Sequence, residues 1–134
     1  MKKFTVFVFG SSLLSKDRIA WDVADYIVKN RLTKSFEFIL SDNPEEIIKT
    51  REKDIFILDV VKGIDEVCII DDIEKLDEKG INTLHDFGLG FYLKLLREIR
   101  EINKVTIIGI PYETKDDICR LSKKVVKVLE QIGI

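Results

Sequence analysis

Apolar residues in this chain occur in continuous runs and in runs with helical spacing. Strands are predicted from the continuous runs, which cover residues 4–10, 36–40, 54–61, 66–71 and 105–110. Helices are predicted from the helical spacing, at residues 15–30, 44–51, 89–102 and from Lys115 onwards. This alternation predicts a three-layer αβα sandwich with a mostly parallel, twisted sheet of about five strands, one of them antiparallel.

The connection after the third predicted strand is too short for a crossover helix. Residues 62–65 form a turn between the runs at 54–61 and 66–71. We therefore predict that these two strands are antiparallel neighbours. Residues 80–90 are predicted to form a loop that contains His85.

Length and charge restrict the class of protein. With 134 residues the chain is predicted to form one domain, residues 1–134. A net charge of −2 gives no electrostatic reason to bind nucleic acid or an anionic membrane. No apolar run reaches the roughly 18 residues of a membrane span. Because Cys68 and Cys119 have no metal or redox spacing, we expect structural thiols in a cytoplasmic protein. We also expect the protein to be a monomer.

Three side chains are candidates for chemistry: Asp17, Asp59 and His85. Each falls in a loop or near the end of a predicted strand or helix, where ligands bind in open α/β sheets. Two carboxylates and an imidazole suit a divalent transition metal. Each residue also has a structural explanation. Asp17 fits a helix dipole, a lone histidine is more often structural or solvated, and a buried aspartate can have a structural partner.

A serine nucleophile is not supported by the sequence. Ser11 and Ser12 follow Gly10, but the stretch lacks the Gly-x-Ser-x-Gly elbow and has no adjacent base. It also lacks the glycine spacing of a dinucleotide loop or a P-loop.

Four segments together resemble the [NiFe]-hydrogenase maturation endopeptidases. Gly10-Ser-Ser-Leu-Leu-Ser-Lys-Asp17 is similar to the family's Gly-Asn-x-Leu-x-x-Asp-Asp/Glu opening. Ile57-Leu-Asp59 resembles its buried strand that ends in an acid, and Thr83-Leu-His85-Asp-Phe-Gly-Leu-Gly-Phe-Tyr-Leu93 resembles its histidine loop. Ile107-Ile-Gly-Ile-Pro-Tyr-Glu113 resembles its last strand and the loop after it. The segments occur in the family's order and cover nearly the whole chain.

The resemblance implies a nickel-dependent, aspartic-type endopeptidase. It would remove the C-terminal extension of a hydrogenase large-subunit precursor after nickel insertion. Asp17, Asp59 and His85 would contact the nickel, which arrives with the precursor, so no permanently bound cofactor is expected. The chain differs from the family at Ser11, at Lys16 and in residues 41–46, and the last difference bears on the choice of precursor.

Two other functions stay open at this point. Ile55-Phe-Ile-Leu-Asp-Val60 also resembles the phospho-acceptor strand of receiver domains, with Asp59 as the acceptor. Against that reading, Asp59 is followed by a predicted hairpin instead of a crossover helix. A partner that inspects the hydrogenase precursor without cleaving it would use the same residues.

Overall fold

The computed structural model describes residues 4–9, 18–41, 54–70, 82–83 and 104–132. The strands are β1 Phe4–Phe9, β2 Phe36–Ser41, β3 Asp54–Lys62, β4 Cys68–Ile70, β5 Asn82–Thr83 and β6 Lys104–Pro111. The helices are α1 Ile19–Lys29 and α2 Ile118–Ile132. The helices predicted at 44–51 and 89–102 lie outside the described residues. Neither described helix is long and apolar enough to cross a membrane.

The strands form a single sheet with the order β2-β1-β3-β6-β4, and β5 pairs with β3 beside this path. Strands β2, β1, β3 and β6 are mutually parallel. Strands β4 and β5 run antiparallel to β6 and β3, respectively. The predicted α/β sandwich with a mostly parallel sheet is confirmed.

The prediction that β3 and β4 are neighbours was wrong. Strand β3 pairs with β1 on one edge and with β6 on the other, and β4 pairs with β6 at the far side. The connection over residues 63–67 therefore passes across β6 before β4 begins. Gly63, with φ of 93°, allows the turn that starts this connection. A hairpin was predicted from loop length, but the second edge of β3 is already used by a parallel strand.

Part of the predicted loop at residues 80–90 is a strand. Val61 of β3 pairs with Thr83 of β5 on one edge and with Pro111 of β6 on the other. Strand β5 therefore occupies the same edge of β3 as β1, beyond the point where β1 ends at Phe9. A strand of two residues has no hydrophobic periodicity, so the sequence pattern gave no signal for it.

Both faces of the sheet are buried. Strand residues on one face pack with the buried residues of α1 and α2, which lie side by side. Buried positions of the two helices have the helical spacing from which the helices were predicted: Ala20, Val23, Ala24 and Ile27 in α1, and Leu121, Val125 and Leu129 in α2. Side chains on the opposite face are also buried, among them Phe7, Ile57 and Ile107. A parallel sheet buried on both sides is the arrangement that a three-layer sandwich requires.

The two helices begin three to four residues after their predicted starts. Helix α1 begins at Ile19 instead of Ser15, and Ser15 itself lies outside the described residues. Helix α2 begins at Ile118 instead of Lys115. The reason for the second shift is Asp117, whose Oδ1 accepts the Arg120 backbone N–H at 2.8 Å, as an N-cap does.

A cluster of three aromatic rings joins β2, β1 and β3 at the start of each strand. The ring centroids of Phe4, Phe36 and Phe56 are 5.6, 5.9 and 6.3 Å apart. Two of the three pairs are edge-to-face, a geometry that adds about 0.5–1.5 kcal/mol per pair beyond burial. This cluster fixes the register of the three strands at the end opposite their carboxyl termini.

Gly109 of β6 is the position over which the β3–β4 connection crosses. A Cβ atom at this position would lie 2.9 Å from Cδ1 of Ile64 and 3.1 Å from Cγ2 of Val61. Ile64 belongs to the connection, and Val61 is on β3. The crossing therefore depends on a residue without a side chain.

We predict that Gly109→Ala destabilises the protein by about 1–3 kcal/mol, because it overpacks this contact. Denaturant-induced unfolding measures the change. Ile64→Val removes the Cδ1 atom that the new methyl group would meet, so the double variant should lose less stability than the sum of the two single variants. Additive losses would show that Ile64 does not limit the space at Gly109.

Candidate functional site

The strand order places a topological switch point between β1 and β3. Beginning at β1, the chain adds β2 on one side and β3 on the other. Ligands in open α/β sheets bind outside the carboxyl ends of the strands at such a point. The carboxyl ends of β1 and β3 therefore define the candidate site.

Asp59 lies on β3 near this end and is fully buried, with 0% of its surface exposed. Its Oδ1 accepts the backbone N–H of Val60 at 2.8 Å. Because side chains alternate along a strand, Asp59 lies on the same face as Ile57 and Val61, opposite the two described helices. A carboxylate at a fully buried strand position is costly unless its environment compensates for lost water, which makes it a candidate for function.

The predicted site residue Asp17 lies outside the described residues, but the elements on both sides of its segment are described. Residues 10–17 connect Phe9, the end of β1, with α1. The indole Nε1 of Trp21 in the first turn of α1 donates a hydrogen bond to the Val8 carbonyl at 3.2 Å. The described residues on both sides of Asp17 therefore lie near the carboxyl end of β1.

His85 also lies outside the described residues, two positions after β5. Thr83 of β5 pairs with Val61, which is two residues beyond Asp59 on the same strand. The chain thus reaches the carboxyl end of β3 immediately before His85. Sequence reasoning had no signal for this pairing.

A cleft of about 520 Å³ opens at the same end of the sheet, next to the ends of β3 and β6. Its described lining is Lys62, Gly63, Ile64, Asp65, Tyr112 and Glu113. The ammonium of Lys62 lies over the Tyr112 ring, 4.9 Å from the centroid. For these two segments the sequence pattern predicted only a turn and a loop. Each of the two segments directly follows a central parallel strand, and this shared position was the available signal for a cleft between them.

Solved structures show where this architecture recurs. The hydrogenase 3 maturation protease superposes with a TM-score of 0.61 at 20% identity, over 98% of this chain and 89% of that one. The maturation protease HycI from Thermococcus kodakarensis KOD1 superposes with a TM-score of 0.57 at 17% identity, over 98% and 91%. The hydrogenase 2 maturation peptidase from Thaumarchaeota archaeon SCGC_AB-539-E09 gives 0.56 at 20% identity, over 98% and 99%.

The chain has the fold of the hydrogenase maturation proteases. No protein-family model and no curated protein matches its sequence.

The predicted metal-contacting set is only partly described in this maturation-protease fold. Asp59 is described, whereas Asp17 and His85 are not, and the predicted convergence of the three side chains stays a prediction. Within residues 4–9, 18–41, 54–70, 82–83 and 104–132, no three His, Cys, Asp or Glu side chains form a metal-binding group. Cys68 and Cys119 are free thiols. Ser11 and Ser12 lie outside the described residues.

Lys124 of α2 connects the two segments that flank the cleft. Its Nζ donates hydrogen bonds to Asp116 Oδ2 at 2.6 Å and to Glu66 Oε2 at 3.0 Å. Asp116 precedes α2, and Glu66 belongs to the β3–β4 connection. These hydrogen bonds, first the one to Asp116 and then the one to Glu66, raise the pKa of Lys124. The bridge is therefore present at neutral pH, and at high pH it persists until the pH rises through this raised pKa.

We predict that Lys124→Met loosens the β3–β4 connection without unfolding the protein. Without the ammonium, Glu66 and Asp116 repel each other, and the amides of residues 63–67 should exchange faster with deuterium. Lys127→Met is the matched control, because Lys127 is an exposed lysine on the same helix outside this bridge. Equal exchange at residues 63–67 in the two variants would contradict the role given to Lys124.

Proposed function

We propose that this protein is a hydrogenase maturation endopeptidase. It removes the C-terminal extension of a [NiFe]-hydrogenase large-subunit precursor after nickel has been inserted. The observation that carries the proposal is Asp59, a fully buried carboxylate at the switch point of a sheet with the maturation-protease fold. The protein acts in the cytoplasm as a monomer and holds no cofactor of its own.

Asp17, Asp59 and His85 contact the nickel, which belongs to the precursor and is therefore part of the substrate. Two carboxylates and an imidazole are donors that a divalent transition metal accepts, and they leave positions open for the precursor's own ligands. Support for the proposal comes from the described neighbours of these residues. The α1 start next to β1 and the pairing of β5 with β3 both lead to the end of the sheet where Asp59 lies.

The reaction is hydrolysis of one peptide bond. A water molecule adds to the scissile carbonyl carbon, the C–N bond breaks, and the proton from water passes to the leaving amine. Asp17, Asp59 and His85 position the precursor, and either carboxylate can accept the proton from water. Contact with nickel next to the scissile bond polarises the carbonyl or the water. No covalent acyl intermediate is required, so Ser11 and Ser12 have no role as nucleophiles.

The burial of Asp59 has a consequence for this reaction. A carboxylate with no exposed surface cannot touch a precursor unless neighbouring atoms move aside. In the bound state the precursor replaces those atoms and water stays excluded. Charge interactions are stronger in such a low-dielectric site than in water.

The receiver-like alternative gains no support from the sheet. After β3 the chain enters a short connection and an antiparallel β4, without a crossover helix between the two strands. A doubly wound receiver-like sheet needs a parallel strand there. Incubation with acetyl phosphate and magnesium tests the alternative directly, and phosphorylation of Asp59 would favour it.

We predict that Asp59→Ala and His85→Ala abolish processing of a nickel-loaded precursor, whereas Ser11→Ala and Ser12→Ala retain substantial activity. The first two variants remove proposed nickel contacts, and the serines are not part of that set. Mass spectrometry of the precursor measures loss of the extension.

Two results would decide against the proposal. Binding of the nickel-loaded precursor without any loss of mass would identify a non-cleaving partner. Loss of cleavage in Ser11→Ala or Ser12→Ala, together with full cleavage by His85→Ala, would indicate a serine hydrolase. The precursor without nickel serves as the control and should stay uncleaved.

A further inference from the structure

We propose that the outer edge of β2, together with the groove between β2 and the end of α1, binds an extended, acidic segment of another protein as an added strand. The segment carries apolar side chains at alternate positions and an acid at the end nearest Arg31 and Lys34. This binding does not use Asp59, so it does not rest on the proposed function.

Strand β2 is an edge strand that lacks several common forms of protection. It pairs with β1 over all six of its residues, and no described strand pairs with its other edge. Edge strands are often kept from pairing by short length, by proline or by charged side chains. Strand β2 has six residues, no proline and a single charge, Glu37, whereas the edge strand β4 has only three residues. The outer main-chain groups of β2 are therefore placed to pair with an extended chain.

A groove of about 430 Å³ lies beside this edge, on the face of the sheet that α1 covers. Its apolar lining comes from Ile27 and Val28 of α1 and from Phe36 and Phe38 of β2. Val28 has 58% of its surface exposed, and Leu40, further along the same face of β2, has 51%. Because side chains alternate along a strand, a chain added to β2 directs every second side chain over this groove.

The end of the groove that precedes β2 is cationic. Arg31 and Lys34 line it and are exposed, and neither forms an ion pair within the described part of the chain. The nearby acid, Glu37, accepts a hydrogen bond from the Thr5 hydroxyl at 3.0 Å. Thr5 alternates with Val6, which faces α1, so this carboxylate is held on the opposite face of the sheet. An acidic side chain of the bound segment therefore complements the charge of the groove.

The backbone of Arg31 is a second sign that its guanidinium is used. Arg31 has φ of 50°, in the left-handed region, at the turn that ends α1. In this turn the N–H of Arg31 bonds the Val28 carbonyl and the N–H of Leu32 bonds the Ile27 carbonyl. Glycine is the favoured residue at such a position, because any side chain there is strained. Lys29 already supplies a cation to the last turn of α1, so the helix dipole does not require Arg31. Binding of an acid at the groove gives the strained arginine a function.

The test uses a blocked heptapeptide with aspartate at both ends, leucine at the third and fifth positions and threonine at the others. Its aspartates and leucines share one face of an extended strand. The peptide is titrated into the full-length ¹⁵N-labelled protein, with the amide signals of Phe36, Phe38 and Leu40 as the readout. It should shift these signals and slow hydrogen exchange at the outer amides of β2, because those amides gain main-chain partners.

Two altered peptides separate the charge from the apolar contact. Lysine in place of both aspartates, or serine in place of both leucines, should weaken binding by roughly fivefold or more. Affinity for the aspartate peptide should also fall as NaCl is raised, because exposed charge pairs are screened.

Arg31→Gly is the sharpest variant, because it removes the guanidinium and the backbone strain together. It should weaken binding of the aspartate peptide by roughly two- to fivefold, the range of an exposed charge pair, and leave the Tm unchanged or higher. Lys34→Gln should weaken binding by a similar factor. Lys123→Gln, a change to an exposed lysine on α2 outside the groove, should leave the affinity unchanged.

Several results would overturn the proposal. These are equal binding of the aspartate and lysine peptides, unchanged hydrogen exchange in β2 at saturation, or a lower Tm with unchanged affinity in Arg31→Gly. A free protein that sediments as a dimer, and that Leu40→Glu converts to a monomer, would show that a second copy occupies the edge instead. If a variant fails to fold, the salt titration and the lysine peptide decide the matter on the unmodified protein. Failure of precursor cleavage with intact peptide binding would reject the proposed function alone.

Discussion

The rest of the structure depends on one constraint on β3. This strand is buried on both faces and paired along both edges. Residues Ile55–Val61 are all buried, and β1 and β6 pair with this strand on opposite sides. A strand in that position is held by packing from every direction, so it is a rigid support for any group that it carries. Asp59 is the charged residue within that buried run. The proposed reaction uses this rigidity, because hydrolysis of one defined bond requires a carboxylate that is held in place.

The two ends of the sheet differ in composition: one carries the aromatic cluster and the other carries the cleft and the charged connections. At the amino-terminal ends of β1, β2 and β3, the Phe4, Phe36 and Phe56 rings contact one another and fix the strand register. At the carboxyl end lie the cleft, the short strand β5 and the charged connections. Because the stabilising aromatic contacts are remote from the rim, charged residues of the rim can differ without disturbing the register of the central strands.

Gly109 affects both the strand order of the sheet and the shape of the cleft at its carboxyl end. Its missing side chain makes room for Ile64, which lets the connection from β3 cross β6 and start β4 on the far side. The same connection supplies Asp65 to the cleft and Glu66 to the bridge with Lys124. The packing of the Ile64 side chain against Gly109 and the ion pair of Lys124 with Glu66 thus both hold the connection that forms one side of the cleft.

Local patterns in the sequence determined the buried strands, the apolar faces of α1 and α2, the fold class and the candidate Asp59, because hydrophobic runs and periodicity depend only on near neighbours. They did not determine which strand lies beside β4, the existence of β5 at Asn82–Thr83, or the cleft lined by Lys62 and Glu113. Each of these joins residues far apart in the chain. Strand neighbours depend on competition for the edges of β3, and the cleft depends on two loops that meet only after β3 and β6 have paired. Such contacts form by tertiary packing, which a one-dimensional pattern does not record.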